Sequence, residues 1–264
     1  MSYRDKSYET MKLEFRGHIA IVRFDRPDAM NAANIQMSYE RLEIYQGLSA
    51  DPDVKAVIIT GNDKAYCAGG DLAAFVQFDS QKAMEFAERG MDYQKVLMNM
   101  PKPTIAAVGG YAFGGGMENV LLCDLRIAAE NAKFALSEIN VGIFPGGGGT
   151  QRLVQNVSIC KAKEMIFFGK PVDANTALGM GLINKVVPLE DLLDTAIAWA
   201  EMLCEKAPLS LAAAKQMVNE AWSRDIDTGM RMEIEAWAGI YDTHDQKEGM
   251  QAFLGKRAPI FTGS

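Results

Sequence analysis

The stretch TIAAVGGYAFGGGMEN, Thr104 to Asn119, carries the reading that decides the fold. Its first residues, Thr104 to Val108, are small, apolar or β-branched on both faces, the composition of a short strand buried inside a sheet rather than wetted on one side. Glycines follow, and Met117, Glu118 and Asn119 lead into an apolar run that reads as a helix start. A buried strand, a glycine-rich turn and a helix together make the repeating piece of an α/β fold.

The same pattern extends in both directions. Upstream, Met11 to Phe15 and His18 to Phe24 read as strands flanking Gly17, an opening hairpin. DRPDAMNAAN reads as a loop, Gln36 to Leu48 as a helix ended by Asp51 and Pro52, and Val54 to Thr60 as another strand buried on both faces. A helix over Gln81 to Met100 is stopped by the following PKP. Downstream, Asp124 to Ala128 and Lys133 to Leu136 read as strands, and Gly146 to Gly149 lead into a helix beginning near Thr150. Beyond Pro188 only helices are expected, over Leu189 to Cys204, Ser210 to Trp222, Asp227 to Tyr241 and Gln246 to Leu254. The chain thus divides into an α/β core over 1–190 and a helical region over 191–264, whose Met, Ala and Trp stripes suit core or subunit contacts.

With 264 residues, 48% of them hydrophobic, the chain can bury a full core. A net charge of -7 disfavours a nucleic acid or a membrane surface as partner, because both select clustered Lys and Arg. Any anionic ligand must then be held locally. Cys67, Cys123, Cys160 and Cys204 have neither CxxC spacing nor His neighbours, so no metal site or disulfide framework is expected and the thiols read as free and buried. The N-terminus lacks the apolar segment of a secretory signal and no apolar run is long enough for a bilayer, which together imply the cytoplasm. A trimmed organellar protein would read the same.

Three segments carry chemistry. AYCAGGDL, Ala65 to Leu72, is small and tightly turned just beyond a buried strand, where a ligand can approach the backbone; an ordinary turn is the alternative. In GGYAFGGGMEN the free N–H groups of a helix start favour negative charge such as an enolate or thioester oxygen. The segment has no GKS or GKT and does not fit the dinucleotide GxGxxG spacing. Glu118 also reads as a first-turn carboxylate on the helix dipole. In FALSEINVGIFPGGGGTQR, Phe134 to Arg152, Glu138 stands among apolar residues, surroundings that favour the protonated form a proton donor needs. A structural Glu hydrogen-bonded to backbone is the other reading.

AYCAGGDL, GGYAFGGGMEN and SEINVGIFPGGGGTQRL, in this order and spacing, resemble the signature segments of the crotonase (enoyl-CoA hydratase/isomerase) family. DRPDAMNA and EGMQAFLGKRAPIF extend the resemblance over nearly the whole chain. It implies an α/β fold, a spiral of ββα units with a C-terminal helical region, assembled as a homotrimer or a dimer of trimers. The implied activity is that of an enoyl-CoA hydratase, a hydro-lyase of fatty-acid β-oxidation type adding water across C2=C3 of a 2-trans-enoyl-CoA. CoA is then part of the substrate, with no separate cofactor and no metal.

By position, the resemblance implies that the N–H groups of Gly70 and Gly115 form an oxyanion hole, commonly the largest catalytic contribution at such sites. It makes Glu118 and Glu138 the acid–base pair around a water that Gly146 helps to orient. CoA contacts fall to Ala29, Met30, Ala68, Asp71 and Leu72, and to Phe253 and Lys256 reaching the CoA of a neighbouring subunit. A solvated surface charge is the other reading of Lys256. Asp28 and Ala73 stand where many relatives carry a basic residue near the CoA phosphates, which puts more weight on backbone and on Lys256 or Arg257. The run Ser137 to Asn140 is similar to that of hydratase-lyases acting on aromatic enoyl-CoAs. An isomerase, or a hydratase of a cyclic or aromatic acyl-CoA, therefore stands beside the fatty-acyl reading, with Phe75, Phe78, Met84 and Phe144 as candidate pocket walls. A non-catalytic binding member is the alternative of a different class.

Overall fold

A computed structural model describes residues 2–264. The chain opens with an antiparallel hairpin of β1 (Met11–Arg16) and β2 (Ile19–Phe24), reversed at Gly17, whose φ of +55° suits a residue without a β-carbon. There follow α1 (Ile35–Ala50), β3 (Ala56–Thr60), β4 (Ala65–Cys67), the single turn α2 (Leu72–Phe75) and α3 (Ser80–Met98). Next come β5 (Thr104–Val108), β6 (Tyr111–Phe113), α4 (Gly115–Val120), β7 (Leu125–Ala129) and β8 (Lys133–Ala135). A 3-10 turn over Glu138–Val141 leads to α5 (Gly149–Asn156), α6 (Ile159–Phe168), β9 (Val172–Asp173), α7 (Ala174–Gly179) and β10 (Lys185–Val187). Helices alone complete the chain: α8 (Leu192–Cys204), α9 (Pro208–Glu220), α10 (Ile226–Ile240) and α11 (His244–Leu254).

The strands sort into a six-stranded sheet, in the order β1-β2-β3-β5-β7-β10, and a four-stranded sheet, β4-β6-β8-β9. β3, β5 and β7 run parallel in the first sheet, while β4, β6 and β8 run parallel in the second. The pairs β3/β4, β5/β6 and β7/β8 each give one strand to each sheet before helix follows, which makes the core a spiral of ββα units. β1, β2, β3, β5 and β7 of the large sheet fall where hydrophobic patterning puts them, while β10 is not read as a strand from the sequence. Nor are β4 and β6: the sequence reading treats both as parts of glycine-rich loops. Three residues are too few to show alternation, and these segments become strands only through partners elsewhere in the chain, such as Tyr111 opposite Lys133.

Alternation along the large sheet explains why its strands are apolar on both faces. Ile58, Ile105 and Ile127 point to one side, where Leu192, Ala196 and Ala200 of α8 cover them. Val57, Ile59, Ala106 and Val108 point to the other, into a core shared with Tyr66, Met117, Phe134 and Leu136 from the second sheet and its loops. Past α8, α9 and α10 contain no buried residue. Trp222, Ile234, Trp237 and Phe253 stand exposed along this helical region. Among the described residues, no helix is long and apolar enough to cross a membrane. The thiols depart from the expectation that all are buried: Cys67 and Cys123 are, Cys204 is partly so, and Cys160 is exposed, since it lies on the outer face of α6.

Candidate active site

The site begins at the loop between β2 and α1. Asn31 is fully buried and holds a left-handed φ of +59°. Its amide oxygen accepts from Arg26 N–H at 2.8 Å, and its amide nitrogen donates to Ala65 O at 2.8 Å and Tyr66 O at 3.3 Å. The loop is thereby bolted to β4. Ala68 N–H then donates to Met30 O, Ala33 N–H to Gly69 O, and Asp71 N–H to Ala33 O. The last two bonds flank Gly70 in a parallel bridge with Ala33, which turns the N–H of Gly70 itself to the opposite side. The adjoining Gly69 packs on the second glycine segment, where a β-carbon on it would lie 3.3 Å from Phe113 O.

Gly114 caps α4 with φ +48° and is itself anchored by donating to Ala135 O at 2.9 Å. Gly115 opens the helix, so its N–H has no carbonyl one turn earlier to bond. The short α4 places Glu118 on the inner side, 6% exposed. Glu118 Oε1 accepts from Gly147 N–H at 2.7 Å and Gly149 N–H at 2.9 Å. Burial raises its pKa, while those two N–H groups and the charge of Arg152 oppose the rise.

Glu138 approaches from the 3-10 turn on the far side. Its Oε2 is enclosed without a hydrogen-bond partner. Burial above all, and then the negative charge of Glu118, lift its pKa to about 7. The two acids flank adjacent glycines: a β-carbon on Gly114 would lie 3.1 Å from Glu138 Oε1, and one on Gly115 would lie 3.9 Å from Glu118 Oε2. Two carboxyl groups, one tied down by two N–H groups of a distant loop and one with an oxygen left unpartnered, thus border the peptide that carries a free helix-start N–H. Such a pair can hold different protonation states.

The other expected positions fall out unevenly. Ala29 and Met30 lie on the bolted loop beside Ala68, and Leu72 is exposed at the start of α2. Asp71 Oδ2 is taken by Arg26 Nη1 and Nη2, both at 3.2 Å, while its backbone N–H donates to Ala33 O and its carbonyl accepts from Ala74 and Phe75. Phe75 lies directly on Gly70, where a β-carbon would overlap its ring, and it stacks with Phe78 and Phe86 at centroid distances of 5.1 and 4.9 Å. Met84 and Phe144 are exposed. Gly146 has open space around it, and it is the next residue, Gly147, that reaches Glu118. Phe253 is 84% exposed near the end of α11 and Lys256 follows with φ +53°, while Arg257 is engaged by both oxygens of Glu248. A cleft of about 510 Å3 under α9, lined among others by Arg126, Lys215 and Trp222, touches this site only through Arg152.

Asn31, Gly147, Gly149 and Arg152 were not singled out by sequence reasoning. Their work is done across the fold: Asn31 acts on Ala65, and Gly147 on Glu118. A buried-looking Asn in a loop, and two members of the glycine run that opens a helix, are the only signals they carry.

The sequence matches the enoyl-CoA hydratase/isomerase family over residues 14–264. It is 40% identical over 256 residues to the crotonyl-CoA hydratase of Syntrophomonas wolfei, covering 97% of this chain and 98% of that one. It is 39% identical over 246 residues to the short-chain-enoyl-CoA hydratase of Clostridium acetobutylicum, covering 93% and 94%. The structure superposes on the crystal structure of an enoyl-CoA hydratase from Bacillus anthracis with a TM-score of 0.93 at 33% identity, over 97% of this chain and all of that one. The chain therefore belongs to the enoyl-CoA hydratase/isomerase family and is an enzyme of the hydro-lyase class.

Proposed function

We propose that this enzyme adds water across the C2=C3 bond of a short 2-trans-enoyl-CoA, reversibly, and that Glu118 and Glu138 carry the proton transfers. The thioester oxygen lies between the N–H groups of Gly70 and Gly115, where charge developing on the enolate is met by fixed donors. Glu118, held by two N–H groups, takes a proton from the water that attacks C3. Glu138, with its enclosed oxygen and a pKa of about 7, gives a proton to C2. The turnover balances when the proton gained by Glu118 returns to Glu138.

The observation that carries this reading is the placement of both acids against the neighbouring glycines Gly114 and Gly115. The names of the two bacterial relatives, crotonyl-CoA and short-chain-enoyl-CoA hydratase, support a short acyl group. CoA is held along Ala29, Met30, Ala68, Asp71 and Leu72, and by Phe253 and Lys256 of another copy. The exposed apolar face of the tail is the surface a homotrimer, or a dimer of trimers, would cover. The Phe75, Phe78 and Phe86 cluster beside Gly70 favours one second reading, a hydratase of an aromatic acyl group.

The test follows loss of the conjugated thioester absorbance of crotonyl-CoA, with mass spectrometry to detect one added water. Hydration by the wild type and its loss in Glu138→Gln are expected. Equal rates for the two would overturn the mechanism, and a shifted double bond without added water would make the enzyme an isomerase.

A further inference from the structure

The loop that holds Glu118 is itself held. Gly147 and Gly149 aim both N–H groups at Glu118 Oε1 because the residue between them, Gly148, adopts φ +98° and ψ 4°. Alternating handedness of this kind turns successive N–H groups into a concave cradle for an anion. Here the anion is the enzyme's own carboxylate. The carbonyl on the reverse of the cradle, Gly147 O, accepts from Arg152 Nη1 at 3.0 Å. The same guanidinium fills the space where a β-carbon on Gly148 would stand, so glycine is required there for packing as well as for φ.

Arg152 is part-buried, and among the described residues it has no carboxylate within ion-pair distance. Its other polar contact is Nη2 to Met98 Sδ at 3.3 Å. The groups that act on it are Glu118 and Tyr93, and Glu118 in turn responds to Arg152 and to the Gly147 and Gly149 donors. Tyr93 is bonded on its other side by the buried Arg41, and the remaining charge facing this cluster is Glu138. A guanidinium desolvated without an ion pair is costly unless its position does something.

We infer that Arg152 is the positioning residue of Glu118: by fixing the Gly147 carbonyl it locks the cradle with both N–H groups on the carboxylate, and it places a positive charge behind that carboxylate. This rests on the reading of Glu118 as the group that takes the proton from water. The guanidinium is spent on Gly147 O and Met98 Sδ, so its effect on the reaction passes through Glu118. A merely structural Arg152 would staple the loop to the first turn of α5 and do no more.

The experiment compares Arg152→Met and Arg152→Lys with wild type in the full-length protein, measuring crotonyl-CoA hydration across pH alongside thermal stability. Removing the positive charge makes Glu118 easier to protonate. The acidic limb of kcat/KM therefore moves to higher pH in Arg152→Met, by about one unit. The kcat falls roughly 10- to 100-fold from the misplaced carboxylate, with KM little changed. Arg152→Lys keeps the charge and restores the limb, and Arg152→Gln, which also removes the charge, takes the place of Arg152→Met should that variant not fold. In a Glu118→Gln background, Arg152→Met causes no further loss of kcat. An unmoved acidic limb with activity falling only as stability falls, or an equal loss in the Glu118→Gln background, overturns the inference while leaving hydration by the wild type intact. A wild type that hydrates no enoyl-CoA overturns the underlying reading itself.

Discussion

Glu138 carries its carboxyl in the field of Glu118, and burial together with that charge lifts its pKa to about 7. Glu118 is differently placed, with one oxygen bound by Gly147 and Gly149. A group that gives its proton to C2 must hold one beforehand, so the hydration rate should fall as pH rises through about 7. Glu138→Gln should lower kcat by about 10²- to 10⁴-fold, the usual worth of a positioned acid, and the residual rate should lose its alkaline limb. Initial rates on crotonyl-CoA across the neutral range check both outcomes.

The same group makes stability depend on pH. Its folded pKa of about 7 lies above its ordinary value of 4.5, so between those values the folded protein binds more protons than the unfolded chain. The stabilisation from this group is fully present below pH 4.5 and is lost as pH rises through about 7. Glu138→Gln, neutral at every pH, removes that slope. The Tm of the wild type should therefore drop relative to the variant between mildly acidic and mildly alkaline pH. Parallel Tm curves would show that Glu138 ionises in the fold as it does in water.

What the sequence makes legible here is local. A strand such as Ala56–Thr60 declares itself by being apolar throughout, and Gly114 and Gly115 declare a turn and a helix start whatever surrounds them. Glu138 stands out because its neighbours in the chain are apolar. The less visible features are those made by segments distant in sequence. β4 and β6 are strands because other strands lie beside them, and the hold of Gly147 on Glu118 exists only once α5 has packed against α4. Asp71 shows the opposite case: it looks available in the sequence, but Arg26 occupies its carboxylate.

Asn31 offers a test of that long-range wiring. In Asn31→Ala, Arg26 N–H, Ala65 O and Tyr66 O lose a partner in a fully buried setting, and alanine must take the left-handed φ of +59° that asparagine tolerates. The two effects together cost about 3 kcal/mol. Because the loop also carries Ala29 and Met30 beside Ala68, KM should rise more than kcat falls. Denaturant unfolding and steady-state kinetics measure the two arms separately.

Phe75 lies on Gly70 and stacks against Phe78 and Phe86, so in the proposed reading it borders the carbonyl end of the acyl group. Truncating it opens room without touching a proton-transfer group. Phe75→Ala should raise kcat/KM for longer or bulkier enoyl-CoAs relative to crotonyl-CoA by about tenfold, the scale at which apolar pockets discriminate. A competition assay over a series of chain lengths reads this ratio directly. A uniform loss across the series would place Phe75 outside the acyl path.

Gly116 and Gly147 separate folding from catalysis, because an added methyl group would overlap a neighbour at both positions but the neighbours differ in kind. At Gly116 the methyl meets the backbone carbonyl of Cys67, at the end of β4, and neither peptide can move without separating α4 from the second sheet. Gly116→Ala should therefore lose about 3 kcal/mol or more of stability, the upper range for overpacking a core. At Gly147 the methyl meets Glu118 Oε2, the end of a side chain that can rotate away. Gly147→Ala should lose less stability than Gly116→Ala, about 2 kcal/mol, from a displaced rotamer and weakened bonds to the Gly147 and Gly149 N–H groups. In the proposed mechanism the rotated carboxylate would no longer face the attacking water, so hydration should slow by about 10²-fold, as expected for a catalytic group out of line. Unfolding curves and crotonyl-CoA rates on the two variants give opposite rankings if Glu118 acts where it stands, and the same ranking if both glycines serve only the fold.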